Sequence, residues 1–366
     1  MNLDFYRGKS VFITGHTGFK GSWLTAVLLK LGATVTGYAL DAPTEPSLFN
    51  ILNLKDEITS VTGDIRDLEK LTKTMQDAKP DIAIHMAAQP IVRDSYKEPV
   101  YTYETNVMGT VNFLEAVRKT PSVKSVINVT TDKVYLNREW DKGYVETDEL
   151  NGFDPYSNSK SCSELVTSSY INSFFTDEEY DKNYGIKAPA VTTMRAGNVI
   201  GGGDFANDRI IPDCVRALEK ESEIAIRNPY SVRPFQHVLE PVCAYLMVAK
   251  AQYEDRAYAG NYNIGPEDSD AIMTGELVSI FCDCWNRNNE AKELCKASWT
   301  TNAVKGPHEA GLLKLNCDKI KRTFGWEPKW NINETLDRTV EWYMAYLNGD
   351  NVKEVTDKQI HEFMRK

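Results

Sequence analysis

The sequence predicts an α/β fold, a doubly wound parallel sheet with a smaller, partly interleaved C-terminal substrate domain. Short apolar runs alternate with segments of helical spacing through the first half of the chain, and strands alternating with helices imply a parallel sheet covered on both faces through right-handed crossovers. After about Arg195 the alternation fades and Gly201-Gly202-Gly203 interrupts it. A length of 366 residues also exceeds one ordinary domain and suits a nucleotide-binding-sized unit with a smaller partner.

Taken in order, Val11-Phe12-Ile13 is a buried strand running straight into glycine-rich turn residues. Trp23, Leu24, Val27, Leu28 and Leu31 then recur at helical spacing, and Gly32 closes that helix. Thr34 to Leu40 and Ile58 to Thr62 read as strands, Leu68 to Ala78 as a helix and Ile82-Ala83-Ile84 as a strand. Val107, Val111, Leu114 and Val117 share a helical face ahead of the strand Val126-Ile127-Asn128-Val129, and helical faces return with Leu336, Val340, Trp342 and Leu347. The expected division is residues 1–193 with about 236–266 in the first domain and 194–235 with about 267–366 in the second.

Lys and Arg total 42 against 52 Asp and Glu, a formal net charge of −10, which argues against nucleic acid or an anionic membrane as partner. No apolar run approaches the roughly 20 residues of a membrane span, and the N-terminal residues lack the order of a signal peptide, so a cytoplasmic location is expected. The seven cysteines are odd in number and scattered, unlike a disulfide framework. Cys282, Cys284 and Cys295 lack zinc-site spacing and a flanking His, so no metal is expected.

Thr14-Gly15-His16-Thr17-Gly18-Phe19-Lys20-Gly21 sits where the first strand meets the first helix. Glycines at 15, 18 and 21 permit a tight turn, close approach of backbone to a pyrophosphate and close helix packing, while the helix N-terminus offers unpaired N–H groups. This is a Rossmann-type dinucleotide signature. Asp41 at the end of the second strand suits a ribose 2′-OH and would repel a 2′-phosphate, favouring NAD over NADP; its other reading is a turn opener. Asp64, in Gly63-Asp64-Ile65, can receive an adenine amino group. Ala87-Ala88-Gln89 would let a ribose pack closely.

Tyr156 and Lys160 lie four apart at the start of a helix, which puts phenol and ammonium on one face. A phenol acting as base at neutral pH needs its pKa lowered from about 10 to about 7, worth about 4 kcal/mol, by Lys160 and an oxidised nicotinamide. Thr131, ending the preceding strand, would set a hydroxyl beside the phenol, with Asp132 and Lys133 next over the sheet edge where ligands bind.

These motifs resemble the extended short-chain dehydrogenase/reductases of the nucleotide-sugar-modifying kind, and within them the CDP-glucose 4,6-dehydratases. The resemblance spans nearly the whole chain. It is carried by Thr14-Gly-His-Thr-Gly-Phe-Lys-Gly-Ser-Trp23, Gly37-Tyr-Ala-Leu-Asp41 with Pro43-Thr-Glu-Pro46, and His85-Met-Ala-Ala-Gln-Pro90. Thr131-Asp-Lys133, Asp154-Pro-Tyr-Ser-Asn-Ser-Lys160, Arg195-Ala-Gly-Asn-Val-Ile-Gly-Gly-Gly-Asp204 and Arg233-Pro-Phe-Gln-His-Val238 continue it.

The resemblance implies NAD-dependent dehydration of a nucleoside diphosphate hexose, CDP-D-glucose first, to the 4-keto-6-deoxy sugar. Tyr156 would take the 4-OH proton with Lys160 and Thr131 assisting, and Asp132 would protonate the departing 6-OH. Thymidine-linked dehydratases carry Glu where this chain has Lys133; Lys133 is then either a neutral base at C5 or a cationic stabiliser of the enolate. The resemblance assigns Asn106, with Thr17, Phe19, Lys20 and Ile65, to the cofactor. It assigns Arg195, Asn198, Arg209 and Arg233 to the substrate, Arg233 clamping the diphosphate. It also implies a homodimer, with a homotetramer as the alternative, and a place in deoxysugar and lipopolysaccharide O-antigen biosynthesis. Rival readings are a nucleotide-sugar 4-epimerase, a dehydratase of a dTDP-, GDP- or UDP-linked sugar, and an NAD-sensing regulatory protein.

Overall fold

The computed structural model describes residues 4–289, 294–301 and 312–365. Its centre is a seven-stranded parallel sheet. The strands are β1 (Ser10–Thr14), β2 (Thr34–Ala39), β3 (Thr59–Thr62), β4 (Ile82–His85), β5 (Ser125–Val129), β6 (Ala190–Ala196) and a closing strand, Asn261–Ile264, beyond β6. The chain builds outward from β1 through β2 to β3, then crosses to the other side of β1 for β4, β5 and β6. The reversal opens a notch at the carboxyl ends of β1 and β4, where ligands of open α/β sheets bind.

β1 is flanked on both sides, Ile13 pairing with Gly37 of β2 and Ile84 of β4, which is why Val11, Phe12 and Ile13 are fully buried. The helix α1, Phe19–Lys30, is buried nearly all round from Gly21 to Leu28, wedged between sheet and second lobe. The sequence places the helix Leu68–Ala78 at its observed bounds; Asp67 caps it by accepting from the Lys70 amide.

The stretch around Val107 departs from expectation. A π-helical turn, Glu104–Met108, joins the short helix Pro99–Tyr103 to Gly109–Arg118. The wide turn puts Val107 out of phase with the helix that follows; in that helix Phe113, Leu114, Ala116 and Val117 are buried, whereas Val107 and Val111 are only half-buried.

The second lobe is built from short pairs: Val199–Ile200 with Gln236–His237, Val232–Pro234 with Ala271–Met273, and Ile224–Ile226 with Trp299–Thr301. Helices Ile210–Glu219, Thr274–Asn288, Ile332–Leu347 and Val352–Arg365 cover them. One apolar cluster runs from Tyr6 and Trp23 through Leu246 to Trp285, Trp342 and Phe363, so the two lobes share a core.

Candidate active site

The glycine loop is shaped by three different constraints. Gly15 has φ 78, and a Cβ there would fall 2.7 Å from the Ala87 nitrogen. At Gly21 a Cβ would lie 2.1 Å from the Gly15 carbonyl oxygen, so α1 can approach the loop only as glycine. Gly18, the N-cap of α1, has an ordinary φ of −76, and its Cβ would meet only the Gly15 oxygen at 3.5 Å. Nothing inside the protein demands glycine at 18; the open face in front of the helix N-terminus fits a pyrophosphate.

The Thr14 hydroxyl pairs with His85 Nδ1 at 2.7 Å and accepts from the Met86 and Ala87 amides, pinning the β4 loop to β1. Thr17 donates to the Leu40 carbonyl at 3.0 Å and ties the loop to the end of β2. There Asp41 is exposed, with Thr62 donating to it at 3.4 Å. Asp64 is bound by Arg66, which holds its carboxyl below the usual range, and a hollow lined by Asp64, Arg66 and Asn112 opens there. Ile65 is buried against Gly109. Phe19, Ala87 and Ala88 are half-buried along this rim. Sequence reasoning passed over His16, whose ring stacks so tightly on Gly37 that a Cβ there would come within 2.3 Å. Burial pulls its pKa to about 4, and Nε2 pairs with Ser60 at 2.8 Å.

Two expected cofactor side chains also brace the protein. Gln89 bonds within its own loop, donating to the Ile91 carbonyl and Thr102 and accepting from the Ile91 amide. Asn106 accepts from the Gln89 amide at 2.8 Å and donates to the Gln89 carbonyl and to Ser159. Its amide therefore bolts the β4 loop to the helix Pro155–Ser173.

That helix begins with Asp154 as N-cap, accepting from the Ser157 amide and hydroxyl, and Pro155 at N1. Tyr156 and Lys160 follow one turn apart. Lys160 is buried and donates to the Val129 carbonyl at 3.2 Å; burial lowers its pKa to about 8 against the pull of Glu164. Tyr156 does not show the expected depression. Burial of its hydroxyl raises the pKa to about 12, with a hydrogen bond between it and Thr131 opposing. Asp132 is 1% exposed, and burial raises its pKa against Lys133, the Thr131 hydrogen bond, Arg233 and Lys20. Lys133 is half-buried beside it, its amide donating to the Thr131 hydroxyl at 3.4 Å.

Lys20 points into this cluster. Its amine is lowered to about 7 by burial, then by Arg209 and Lys160, while Asp132 opposes; Tyr245 accepts from it at 3.4 Å. Arg209 lies within electrostatic reach of Tyr156 and pairs with Asp204 at 2.9 Å. Arg233, on Val232–Pro234, is buried near Asp132. Asn198 accepts the Gln236 amide through its carbonyl at 3.0 Å, which sets the turn behind Arg233. Arg195, expected at the substrate, is 1% exposed; it holds both oxygens of Glu164 and donates to the Tyr135 hydroxyl and the Glu146 carbonyl. Its donors are used beneath the site, not in the cleft. Among the described residues no group of three or more His, Cys, Asp or Glu could hold a metal ion.

A profile of the family described as GDP-mannose 4,6 dehydratase matches residues 12–339. CDP-glucose 4,6-dehydratase of Salmonella typhimurium is 48% identical over 365 residues, covering 100% of this chain and 98% of the relative. Human dTDP-D-glucose 4,6-dehydratase is 27% identical, over 95% of this chain and 94% of its own. Among solved structures, dTDP-glucose 4,6-dehydratase of Bacillus anthracis in complex with NAD superposes with a TM-score of 0.70 at 23% identity, covering 94% of this chain and 100% of that one. UDP-glucose 4-epimerase of Thermotoga maritima gives 0.74 at 22%, covering 92% and 99%. Both share the fold.

Proposed function

The chain belongs to the GDP-mannose 4,6-dehydratase family of nucleotide-sugar enzymes, and from that premise we propose that it dehydrates CDP-D-glucose to CDP-4-keto-6-deoxy-D-glucose. The observation that carries elimination over simple epimerisation is Asp132: a buried carboxyl whose pKa is raised by burial, with Oδ2 lacking a partner among the described residues, in the same cluster as Tyr156 and Lys160. Epimerisation at C4 needs no proton donor for a departing 6-OH. An NAD-sensing protein would have no use for this cluster.

NAD fits the loop through Gly15, Gly18 and Gly21, Thr17, Asp41, Asp64 and the Ala87-Ala88 rim, and when bound it takes and returns the hydrogen of the hexose. The protein's own groups manage the protons. Tyr156 accepts the 4-OH proton, with Thr131 hydrogen-bonding the same oxygen. The 4-ketone acidifies C5, Lys133 in its neutral form takes that proton, Asp132 delivers its own to the leaving hydroxyl, and Lys133 gives the proton back to C5 once C6 has received the hydride. Arg233 and Arg209 face the diphosphate, and Lys20 adds positive character at the same end of the cleft. Residues 1–193 with about 236–266 carry the cofactor role in this reading, and the remainder covers the sugar nucleotide.

Exposed apolar side chains on neighbouring helices, Val100, Tyr103 and Met108 beside Leu165 of the Tyr156 helix, support a homodimer through this face. No helix among the described residues is long and apolar enough to cross a membrane, which supports a cytoplasmic enzyme. Its product would enter deoxysugar assembly, lipopolysaccharide O-antigen included. The test is a panel of CDP-, dTDP-, GDP- and UDP-hexoses with product mass measured. Loss of one water from the CDP donor alone is expected; loss from none overturns the dehydratase reading, and loss from another donor alone reassigns the base.

A further inference from the structure

Asp208 lies outside every role assigned above. Its φ of 58 is left-handed, a region Asp and Asn enter more readily than other side chains. Its Oδ1 accepts from Arg227 at 2.9 Å and lies 3.5 Å from an Arg93 nitrogen. Arg93 stands on the short helix Val92–Lys97, which follows β4 on the cofactor side; Arg227 follows the strand Ile224–Ile226 of the second lobe. One carboxylate thus joins the two lobes at the cleft. The three side chains are only 28%, 32% and 36% exposed, so solvent screens them incompletely. The next residue is Arg209, whose guanidinium reaches Asp204 and the neighbourhood of Tyr156 and Lys20.

We infer that Asp208 is a positioning residue for the nucleotide sugar: clasped between Arg93 and Arg227, it fixes the left-handed turn that presents Arg209 to the diphosphate and holds the two lobes together around it. The inference rests on the reading of the ligand as a nucleoside diphosphate hexose. It makes a prediction opposite to that of simple charge counting. Neutralising Asp208 leaves two guanidinia uncompensated, which by Coulomb attraction alone would tighten an anionic ligand. Loss of positioning weakens it.

Asp208→Asn removes the charge while keeping a side chain that tolerates the left-handed turn. Binding of CDP-glucose and the dTDP-, GDP- and UDP-linked hexoses to the NAD-loaded protein is measured by calorimetry for the parent, Asp208→Asn, Arg209→Gln and the double variant. Asp208→Asn is expected to weaken the preferred donor about tenfold in the parent, but less than about twofold in the Arg209→Gln background, with NAD affinity and Tm unchanged. Arg93→Gln should show the same non-additive loss and serves if Asp208→Asn fails to fold. Unchanged or tighter binding, or equal loss in both backgrounds, overturns the inference while the proposed function stands. No binding of any donor to the parent protein overturns both.

Discussion

Thr131 donates its hydroxyl to Oδ1 of Asp132 at 2.9 Å, and Oδ2 of the same carboxyl is buried with no hydrogen-bond partner among the described residues. Burial raises the carboxyl's hold on a proton and its neighbour orients it, with the second oxygen left to deliver that proton. Asp132→Asn should lower dehydration by about 10²- to 10⁴-fold while leaving oxidation at C4, read as reduced nicotinamide absorbance in a single turnover. The same change should stabilise the fold at neutral pH. A raised carboxyl binds its proton more tightly folded than unfolded, so its contribution falls as pH rises above the unfolded value of about 4. The Tm gain of Asp132→Asn over the parent should therefore be present at pH 7 and vanish in acid; equal gains at both would show that charge burial is not the cause.

The glycines of the loop separate fold from function. Gly21→Ala drives a Cβ into the Gly15 carbonyl oxygen at 2.1 Å and should lower Tm markedly. Gly18→Ala has room within the protein, at 3.5 Å from the same oxygen, and should fold with a Tm near the parent's while losing NAD affinity by tenfold or more. Similar Tm losses for the two would remove the argument that Gly18 is kept open for a ligand.

The sheet was legible because buried parallel strands are short apolar runs and their crossovers have helical spacing. The ends of β1, β2 and β5 then placed Thr14, Asp41 and Thr131 at the same edge. The π turn at Glu104–Met108 was not legible, since a single wide turn leaves no change in composition; it put Val107 out of phase with the helix that follows. The internal bonds of Asn106, Gln89 and Arg195 were not legible either. Their residue types suit ligand contact, and only the folded chain shows their donors already used by Ser159, Thr102 and Glu164. Lys20 was legible as part of the loop, but its meeting with Asp132, Lys160 and Arg209 depends on packing between distant segments.

Arg195 and Glu164 form a buried pair at 2.9 Å, with side chains 1% and 2% exposed. Removing one partner of such a pair costs about 3–5 kcal/mol, because the other charge stays buried and unpaired. Glu164→Gln should therefore lower stability by that order in urea unfolding, and Arg195→Met by a similar amount. At a temperature where either variant is folded, KM for the nucleotide sugar should stay within about twofold of the parent's. A KM rise of tenfold for Arg195→Met with unchanged stability would restore the arginine to the substrate.

Tyr156 at about 12 is a poor base in the chain alone, because burial outweighs the hydrogen bond and the positive charge that oppose it. A cation within about 4–6 Å lowers such a group by roughly one to three pH units, which oxidised nicotinamide would provide. The ascending limb of kcat/KM against pH should level off between about pH 9 and pH 11 in the NAD-loaded enzyme. Tyr156→Phe should lose at least about 10³-fold. A profile still climbing tenfold per pH unit at about pH 11 would mean that the phenol keeps its value in the chain alone.

Lys133 stands half-buried in the turn Asp132–Val134, and its charge is the largest influence opposing the burial of Asp132. Positive charge is already abundant in the cleft from Arg209 and Arg233, whereas Tyr156 is engaged at O4. What the elimination lacks is a proton acceptor for C5; two amines, Lys133 and Lys20, stand near the acid, and Lys133, next to it in the chain, fills that role in its neutral form in the proposed reaction. Lys133→Ala should retain oxidation at C4 and lose solvent hydrogen exchange at C5 by about 10²-fold or more. Lys133→Arg keeps the charge on a group that cannot give up its proton in water. The arginine variant is expected to be as inactive in C5 exchange as the alanine variant; recovery by arginine would make Lys133 a stabiliser of the enolate and send the search for the base to Lys20.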